Sequence, residues 1–292
     1  MNGNDLKHRI ENLSIWKKGD QRAPHKPLLL LYALGRMQNG ENRFIPYQEV
    51  KEKLTSLLIE YGPKRQSYHP EEPFVRLSND GIWDLNSPAE INTKNPNNGY
   101  LLKNHVSGGF KEEVYELLKN DSSLLKGMAE IILNTHFPDT IHDDILSSVG
   151  LDLEFGGKKR RDPNFRNKVL KAYEYSCAVC GFHVRLGNNL VGIEAAHIKW
   201  HQAGGPDTET NGIALCAMHH KLFDRGVFTL NEEKVFLVAD EAHGYNGFNE
   251  WLMNFHGKQI RKPIHPDYLP SENFLHWHVK EVFKGPYRYT VG

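Results

Sequence analysis

Cys177-Ala-Val-Cys180 and, after 35 intervening residues, Cys216-Ala-Met-His219-His220-Lys-Leu-Phe-Asp224 decide how the second half of this 292-residue chain folds. Two pairs of soft donors, Cys177 with Cys180 and Cys216 with His219, offer the four sulfur and nitrogen ligands of a closed tetrahedral zinc site. All three cysteines of the chain are used in it, so no disulfide framework is expected. A closed site leaves no position for water, which makes this metal a holder of the fold. His220 directly follows His219 and on a helix points about 100° away from it. Asp224 lies one turn further along the His220 face, and that imidazole and carboxylate read as ligands for a second, open divalent-ion site.

Working outward, Leu190-Val-Gly-Ile-Glu-Ala-Ala196 suggests a strand ending at His197. The glycine-rich Ala203-Gly-Gly-Pro-Asp207 leads to a second short strand, Asn211-Gly-Ile-Ala-Leu215, and Cys216 to about Asp224 reads as a helix. A helix from residue 163 to about 176 precedes them, opened by the capping pair Asp162-Pro163. Glu194-Ala-Ala-His197-Ile198, Asn211-Gly-Ile-Ala-Leu-Cys216 and His220-Lys-Leu-Phe-Asp224-Arg-Gly226 together resemble the HNH, or ββα-metal, nucleases over about residues 162–240. The signature positions fall on His197, Asn211 and His220. The resemblance implies phosphodiester hydrolysis in which His197 is the general base toward water, a role for which imidazole is suited near neutral pH. It implies that His220 and Asp224 hold Mg²⁺ or Mn²⁺ beside the phosphate, and that Asn211 braces the loop orienting His197. Ala196 stands where many members carry a further metal ligand, which shifts weight to Asp224, with Glu194 or His201 as additional donors.

Composition sets the frame around this site. Hydrophobic residues make up 39% and charged residues 25%, a globular balance that excludes a disordered chain, a collagen and a coiled coil. The longest apolar run, Leu28 to Leu34, is far shorter than a membrane span, and the polar start, MNGNDLKHRIENL, lacks the apolar stretch of a signal peptide, so a cytoplasmic address is expected. The formal net charge is zero, but residues 1–155 carry 18 Lys/Arg against 22 Asp/Glu and residues 156–292 carry 18 against 14. Lys158, Lys159, Arg160 and Arg161 form a basic run ahead of the nuclease-like part and suit a phosphate-contacting stripe. Together with Gly156-Gly157 they mark a boundary near 155, giving a recognition domain at 1–155 and a nuclease domain at 156–292 that ends in packing helices around Trp251, Trp277 and Phe283.

The first part reads as helices at about 5–17, 28–38 and 47–61, a hairpin of Phe74-Val-Arg-Leu77 with Ile82-Trp-Asp-Leu85, and helices at about 112–125 and 126–136. The fold class is therefore α+β: a helix-rich N-terminal domain with a small β element, then a zinc-stabilised ββα-metal domain. Arg22-Ala-Pro-His-Lys-Pro-Leu-Leu-Leu-Leu31, Tyr68-His-Pro-Glu-Glu-Pro-Phe-Val-Arg-Leu77 and Gly81-Ile-Trp83 resemble the sulfur-binding domains of restriction endonucleases that recognise phosphorothioated DNA, over about residues 5–150. The resemblance implies that His25 and Lys26 sit beside the modified phosphate, with Lys18 and Arg22 as further contacts. Sulfur is larger, softer and less hydrated than oxygen and calls for a small apolar cup, for which Pro73 and Phe74 are candidates. Glu72 departs from the family pattern, which often has an aromatic there. The expected function is a modification-dependent (type IV-like) restriction endonuclease acting on phosphorothioated duplex DNA, with structural zinc, a catalytic divalent ion and no membrane partner. Homodimerisation is left open. The rivals are an HNH nicking or repair nuclease reading unmodified DNA and a zinc-stabilised DNA-binding module that does not cut.

Overall fold

The computed structural model describes residues 1–16, 19–153 and 163–289. Two compact units divide the chain, Met1–Glu154 and Phe155–Gly292. Among the described residues no helix is long and apolar enough to cross a membrane.

The first unit is built on one buried helix. Its elements are α1 (Gly3–Glu11), α2 (His25–Gln38), β1 (Ile45–Pro46), α3 (Tyr47–Tyr61), α4 (Glu71–Arg76), β2 (Trp83–Asn86), α5 (Asn98–Lys103), β3 (Ser107–Phe110), α6 (Glu112–Asn120), α7 (Ser122–His136) and α8 (His142–Val149). Every residue of α2 from Lys26 to Gly35 is buried, as the continuous leucine run requires, and α3, α4, α7 and α8 pack around it. The first helix is shorter than expected and begins on Asn2, whose side chain accepts from Asp5 N while Asp5 accepts from Asn2 N. Asp5 is thus the third residue of a capping box.

The expected hairpin at 74–85 is absent. Pro70 and Pro73 preset helical backbone angles and Glu71 and Glu72 favour the positive end of a helix, so 71–76 coils, and a 3-10 turn at Leu77–Asp80 follows. Only Trp83–Asn86 is a strand, and it pairs antiparallel with β3 in the register Trp83↔Phe110. Ser107-Gly-Gly-Phe110 carries no strand signal. Its Gly108 is demanded by packing, because a Cβ there would lie 2.7 Å from the Trp83 indole nitrogen and 2.9 Å from the Phe74 ring.

The second unit runs α9 (Pro163–Ala172), β4 (Val184–Leu186), β5 (Asn189–Val191), β6 (Ile193–His197), β7 (Gly212–Cys216), α10 (Ala217–Asp224), β8 (Phe228–Leu230), β9 (Phe236–Val238) and α11 (Glu272–Glu281). The expected strand at 190–196 is divided at Gly192, its first part belonging to the β4–β5 hairpin and its second to β6. β6 and β7 pair antiparallel in the register His197↔Gly212 and Ile193↔Cys216, and α10 packs against both. This ββα unit lies over a core that includes Phe165, Val169, Ile193, Ile213, Phe223 and Phe236. The tail contributes a π-helical turn at Asn249–Met253 and α11, so its residues pack as expected, although only one is in an ordinary α-helix.

Candidate functional site

Four donor atoms converge where the first cysteine pair meets the start of α10. Cys177, Cys180, Cys216 and His219 bring their ligand atoms within 4.8 Å of one another, and among the described residues no other group of three or more His, Cys, Asp or Glu does so. His219 Nδ1 lies 3.2 Å from Cys216 Sγ and 3.6 Å from Cys177 Sγ. Its Nε2 donates to the Trp251 carbonyl at 2.8 Å, which fixes which nitrogen faces the sulfurs. Hydrogen bonds from the Cys180 and Cys216 thiols draw the Cys177 thiol far down toward thiolate. Burial disfavours a charged His219, but hydrogen bonds to Cys177 and Cys180 outweigh it and lift the imidazole to about 9. The cluster therefore binds protons that a zinc ion would displace. The Trp251 carbonyl, from the distant tail, carried no sequence signal of this contact.

His220, one residue on, faces elsewhere. It is buried between two carboxylates: Nδ1 donates to Glu194 Oε2 at 2.6 Å, and Nε2 lies 3.2 Å from Asp224 Oδ2. Asp224, also buried, accepts from Trp200 Nε1 through its other oxygen at 3.0 Å. A neutral imidazole that donates from Nδ1 turns the lone pair of Nε2 toward Oδ2. Two acceptors at that separation call for a cation between them, a proton or a metal ion. His220 and Asp224 therefore fit a divalent ion as a nitrogen-oxygen pair. Glu194 orients the ring from behind, on the opposite nitrogen, and does not join the pair as a third donor.

His197 closes β6. Its Nε2 donates to Asp207 Oδ1 at 2.7 Å, and its ring stacks on Phe165 at 3.8 Å and 12°. Asn211, fully buried, ties the intervening loop: its Oδ1 accepts from Lys199 N at 2.9 Å, and its Nδ2 donates to the Lys199 and Pro206 carbonyls at 3.0 and 2.9 Å. His201 comes no closer to His197 than 6.0 Å between ring centres. Asp207 and Phe165 were not singled out in the sequence. Asp207 lay within the quoted glycine-rich loop, but nothing in its spacing pointed to His197.

In the first unit two expectations fail. Phe74 is fully buried between Tyr47 and Trp83, at ring distances of 4.9 and 6.2 Å, so it fills the core and cannot face DNA. Lys26 is also buried, donating to Asp80 Oδ2 at 2.5 Å and to the Ser14 carbonyl at 2.7 Å. Its charge closes the fold and is not available to a phosphate. Pro73 is buried in the first turn of α4, and Arg22 donates to the Tyr61 carbonyl at 2.8 Å. His25 remains, partly exposed at the first position of α2. Burial and the nearby His69 and Arg65 push it down to about 4, against the opposing Glu71. Arg65 and His69 went unread, although His69 stands inside the quoted Tyr68-His-Pro stretch. His69 Nδ1 lies 3.0 Å from Glu71 Oε1. Glu72 pairs with Arg76 Nε at 2.7 Å within α4. Lys18, Lys158, Lys159, Arg160 and Arg161 lie outside the described residues.

Residues 3–154 match the family model of the ScoMcrA-like DNA sulfur-binding domain, and residues 177–231 match that of an HNH endonuclease. No curated protein matches the chain. Among solved structures, the sulfur-binding domain of SprMcrA complexed with phosphorothioated DNA is similar at 23% identity and a TM-score of 0.46, over 52% of this chain and 95% of that one. The corresponding ScoMcrA domain complex gives 21% identity and a TM-score of 0.43, over 49% and 94%. The type IV phosphorothioation-dependent restriction endonuclease ScoMcrA gives 20% and 0.41, over 53% of this chain and 32% of that one. The first family model spans just over half of the sequence, and the chain accordingly belongs to the ScoMcrA-like DNA sulfur-binding domain family, here joined to an HNH endonuclease domain.

Proposed function

We propose that the protein is a modification-dependent restriction endonuclease of the cytoplasm that reads phosphorothioated duplex DNA with residues 1–155 and hydrolyses a phosphodiester with residues 156–292. The observation that carries this reading is the pairing, in one chain, of a DNA sulfur-binding domain match with an HNH domain whose His197, Asn211 and His220 are all held in hydrogen-bonded positions.

Hydrolysis requires water to attack phosphorus while its proton is removed. His197 takes that proton, and the bond to the departing deoxyribose oxygen breaks with its electron pair on that oxygen, which is then protonated by solvent. His220 and Asp224 would hold the divalent ion, Mg²⁺ or Mn²⁺, which when bound offsets charge on the phosphate and the departing oxygen. Glu194 sets the His220 tautomer, and Asn211 holds the loop at 199–206 against β7. Cys177, Cys180, Cys216 and His219 bind structural zinc.

For recognition, the phosphate contact belongs to His25, Arg65 and His69. His69 and Arg65 both act electrostatically on His25 beside the N-terminal end of α2, and with Glu71 paired to His69 the three basic side chains favour an anion there. Phe74, Pro70 and Pro73 are all buried, so the contact with sulfur falls to the exposed surface around His25, Arg65 and His69. The Glu72–Arg76 ion pair offsets part of the repulsion that a lone carboxylate would exert there.

The test is cleavage by the full chain of matched duplexes with and without a single phosphorothioate, in Mg²⁺ or Mn²⁺. The modified duplex should be cut, and His197→Ala should lower the rate by about 10²–10⁴ with DNA affinity intact. Equal cutting of both duplexes would leave a nuclease that reads unmodified DNA, and no cutting of either would leave a binding module.

A further inference from the structure

We infer that Asp207 is the positioning carboxylate of the hydrolytic site, holding His197 so that Nε2 carries the ring proton and Nδ1 is the atom that receives one from water. The inference rests on the proposal that His197 is the base.

A carboxylate oxygen 2.7 Å from Nε2 can only accept, so the neutral ring next to it is protonated at Nε2 and basic at Nδ1. Imidazole without such a partner divides between its two tautomers, and only one of them presents a lone pair to a water on the Nδ1 side. When that water is deprotonated the ring becomes a cation, and the adjacent carboxylate stabilises the charge as it forms, as a triad carboxylate does.

Ring orientation is set a second time, independently. Phe165 of α9 lies flat on His197, with ring centres 3.8 Å apart. Room for that stack comes from the strand partner of His197. At Gly212 a Cβ would fall 2.3 Å from Val169 Cγ2 and 3.2 Å from the Phe165 ring. With the ring plane held by Phe165 and one edge by Asp207, little rotation is left to His197.

Asp207 reaches His197 only because the loop between β6 and β7 doubles back. Asn211 bonds both ends of its turn, at Lys199 and at Pro206, and Gly205 N donates to the Trp200 carbonyl at 3.0 Å. Pro206 immediately precedes Asp207, so the Asn211 side chain delivers the carboxylate to the ring. The asparagine of the signature thus acts on the histidine through Asp207.

Two measurements on the full-length protein test this. In ¹⁵N-histidine spectra, with the His197 signals assigned by their loss in His197→Gln, the wild type should show an Nε2-protonated ring and Asp207→Ala a mixture of tautomers. In cleavage assays Asp207→Asn, which keeps the shape but lets an amide N–H face Nε2, should lower kcat about 100-fold with KM and Tm unchanged. Asp207→Glu should recover part of that loss, and Asp207→Asn combined with His197→Ala should be no slower than His197→Ala alone. A purely structural role predicts the opposite: a lower Tm, a wild-type tautomer and losses that multiply. Wild-type kcat in Asp207→Asn while His197→Ala is inactive overturns the role of Asp207 alone. Wild-type kcat in His197→Ala overturns the base assignment, and this inference with it.

Discussion

Buried polar side chains are spent differently in the two units. In the first, Lys26 is consumed by Asp80 and the Ser14 carbonyl, and the aromatic series Tyr47, Phe74, Trp83 and Phe110 fills the core. In the second, buried imidazoles face converging donors: His219 the thiols, His220 the carboxylates of Glu194 and Asp224. The second unit therefore gathers donor atoms that could hold a cation, whereas among the described residues of the first no such cluster forms. Residue type alone did not distinguish the two uses, since a lysine and a phenylalanine beside a presumed DNA site are taken up by an ion pair and by packing, whereas two adjacent histidines face ligand atoms of other side chains.

Removing metal is the strongest way to break that comparison. Structural zinc in small domains contributes about 10–16 kcal/mol of apparent folding free energy at neutral pH, as much as a whole domain's stability. A chelator strong enough to strip the Cys177, Cys180, Cys216 and His219 cluster should abolish the unfolding transition of the second unit and leave that of the first unchanged. Calorimetry with zinc quantified alongside reads both. Two intact transitions in zinc-free protein would mean that the cluster is not a structural metal site.

Next in size is the core of the first unit. Phe74→Ala should destabilise it by about 3–5 kcal/mol, and Lys26→Ala, which strands the buried Asp80 carboxylate, by a similar amount. Urea unfolding of the full chain measures both. If either residue lined a DNA-facing cup instead, its substitution would change affinity for the modified duplex and leave the unfolding midpoint in place.

What was legible follows from these differences. The zinc ligands and the ββα order could be read because ligand spacing and strand-helix periodicity are local, as are the leucine run of α2 and the span of α3. Contacts made by folding were not legible: Asp207 on His197, Trp251 on His219 and Glu194 on His220 join residues 10, 32 and 26 positions apart. The strand at 107–110 was hidden because its glycines answer to the Trp83 and Phe74 rings and not to strand propensity. The helix at 71–76 was misread because period-two alternation in Phe74-Val-Arg-Leu77 outweighed the two prolines before it. His25 was found from motif, but its partners Arg65 and His69 required the fold.

The smallest effect sharpens the contrast between His25 and His219, two partly or wholly buried imidazoles driven in opposite directions. His25 titrates near 4 in the folded chain against an ordinary 6.5, because burial and its cationic neighbours disfavour its charge. Below 6.5 the unfolded chain takes up a proton that the folded chain refuses, so His25 supports stability fully above that pH, and the support is lost as pH falls toward 4. At about 1.4 kcal/mol per pH unit the loss is bounded by roughly 3 kcal/mol, reduced in practice by the ring's partial exposure. His136, lowered to about 4 by burial, adds a parallel loss. Unfolding titrations of the wild type and His25→Gln between pH 7 and 4.5 should differ in slope, with the variant flatter. DNA should reverse the sign locally. A phosphate among His25, Arg65 and His69 stabilises the imidazolium, so duplex affinity should rise as pH falls from 7.5 to 6, and His25→Gln should remove that rise. Parallel affinity profiles for the two proteins would mean that His25 does not touch the phosphate, even if its contribution to stability is as described.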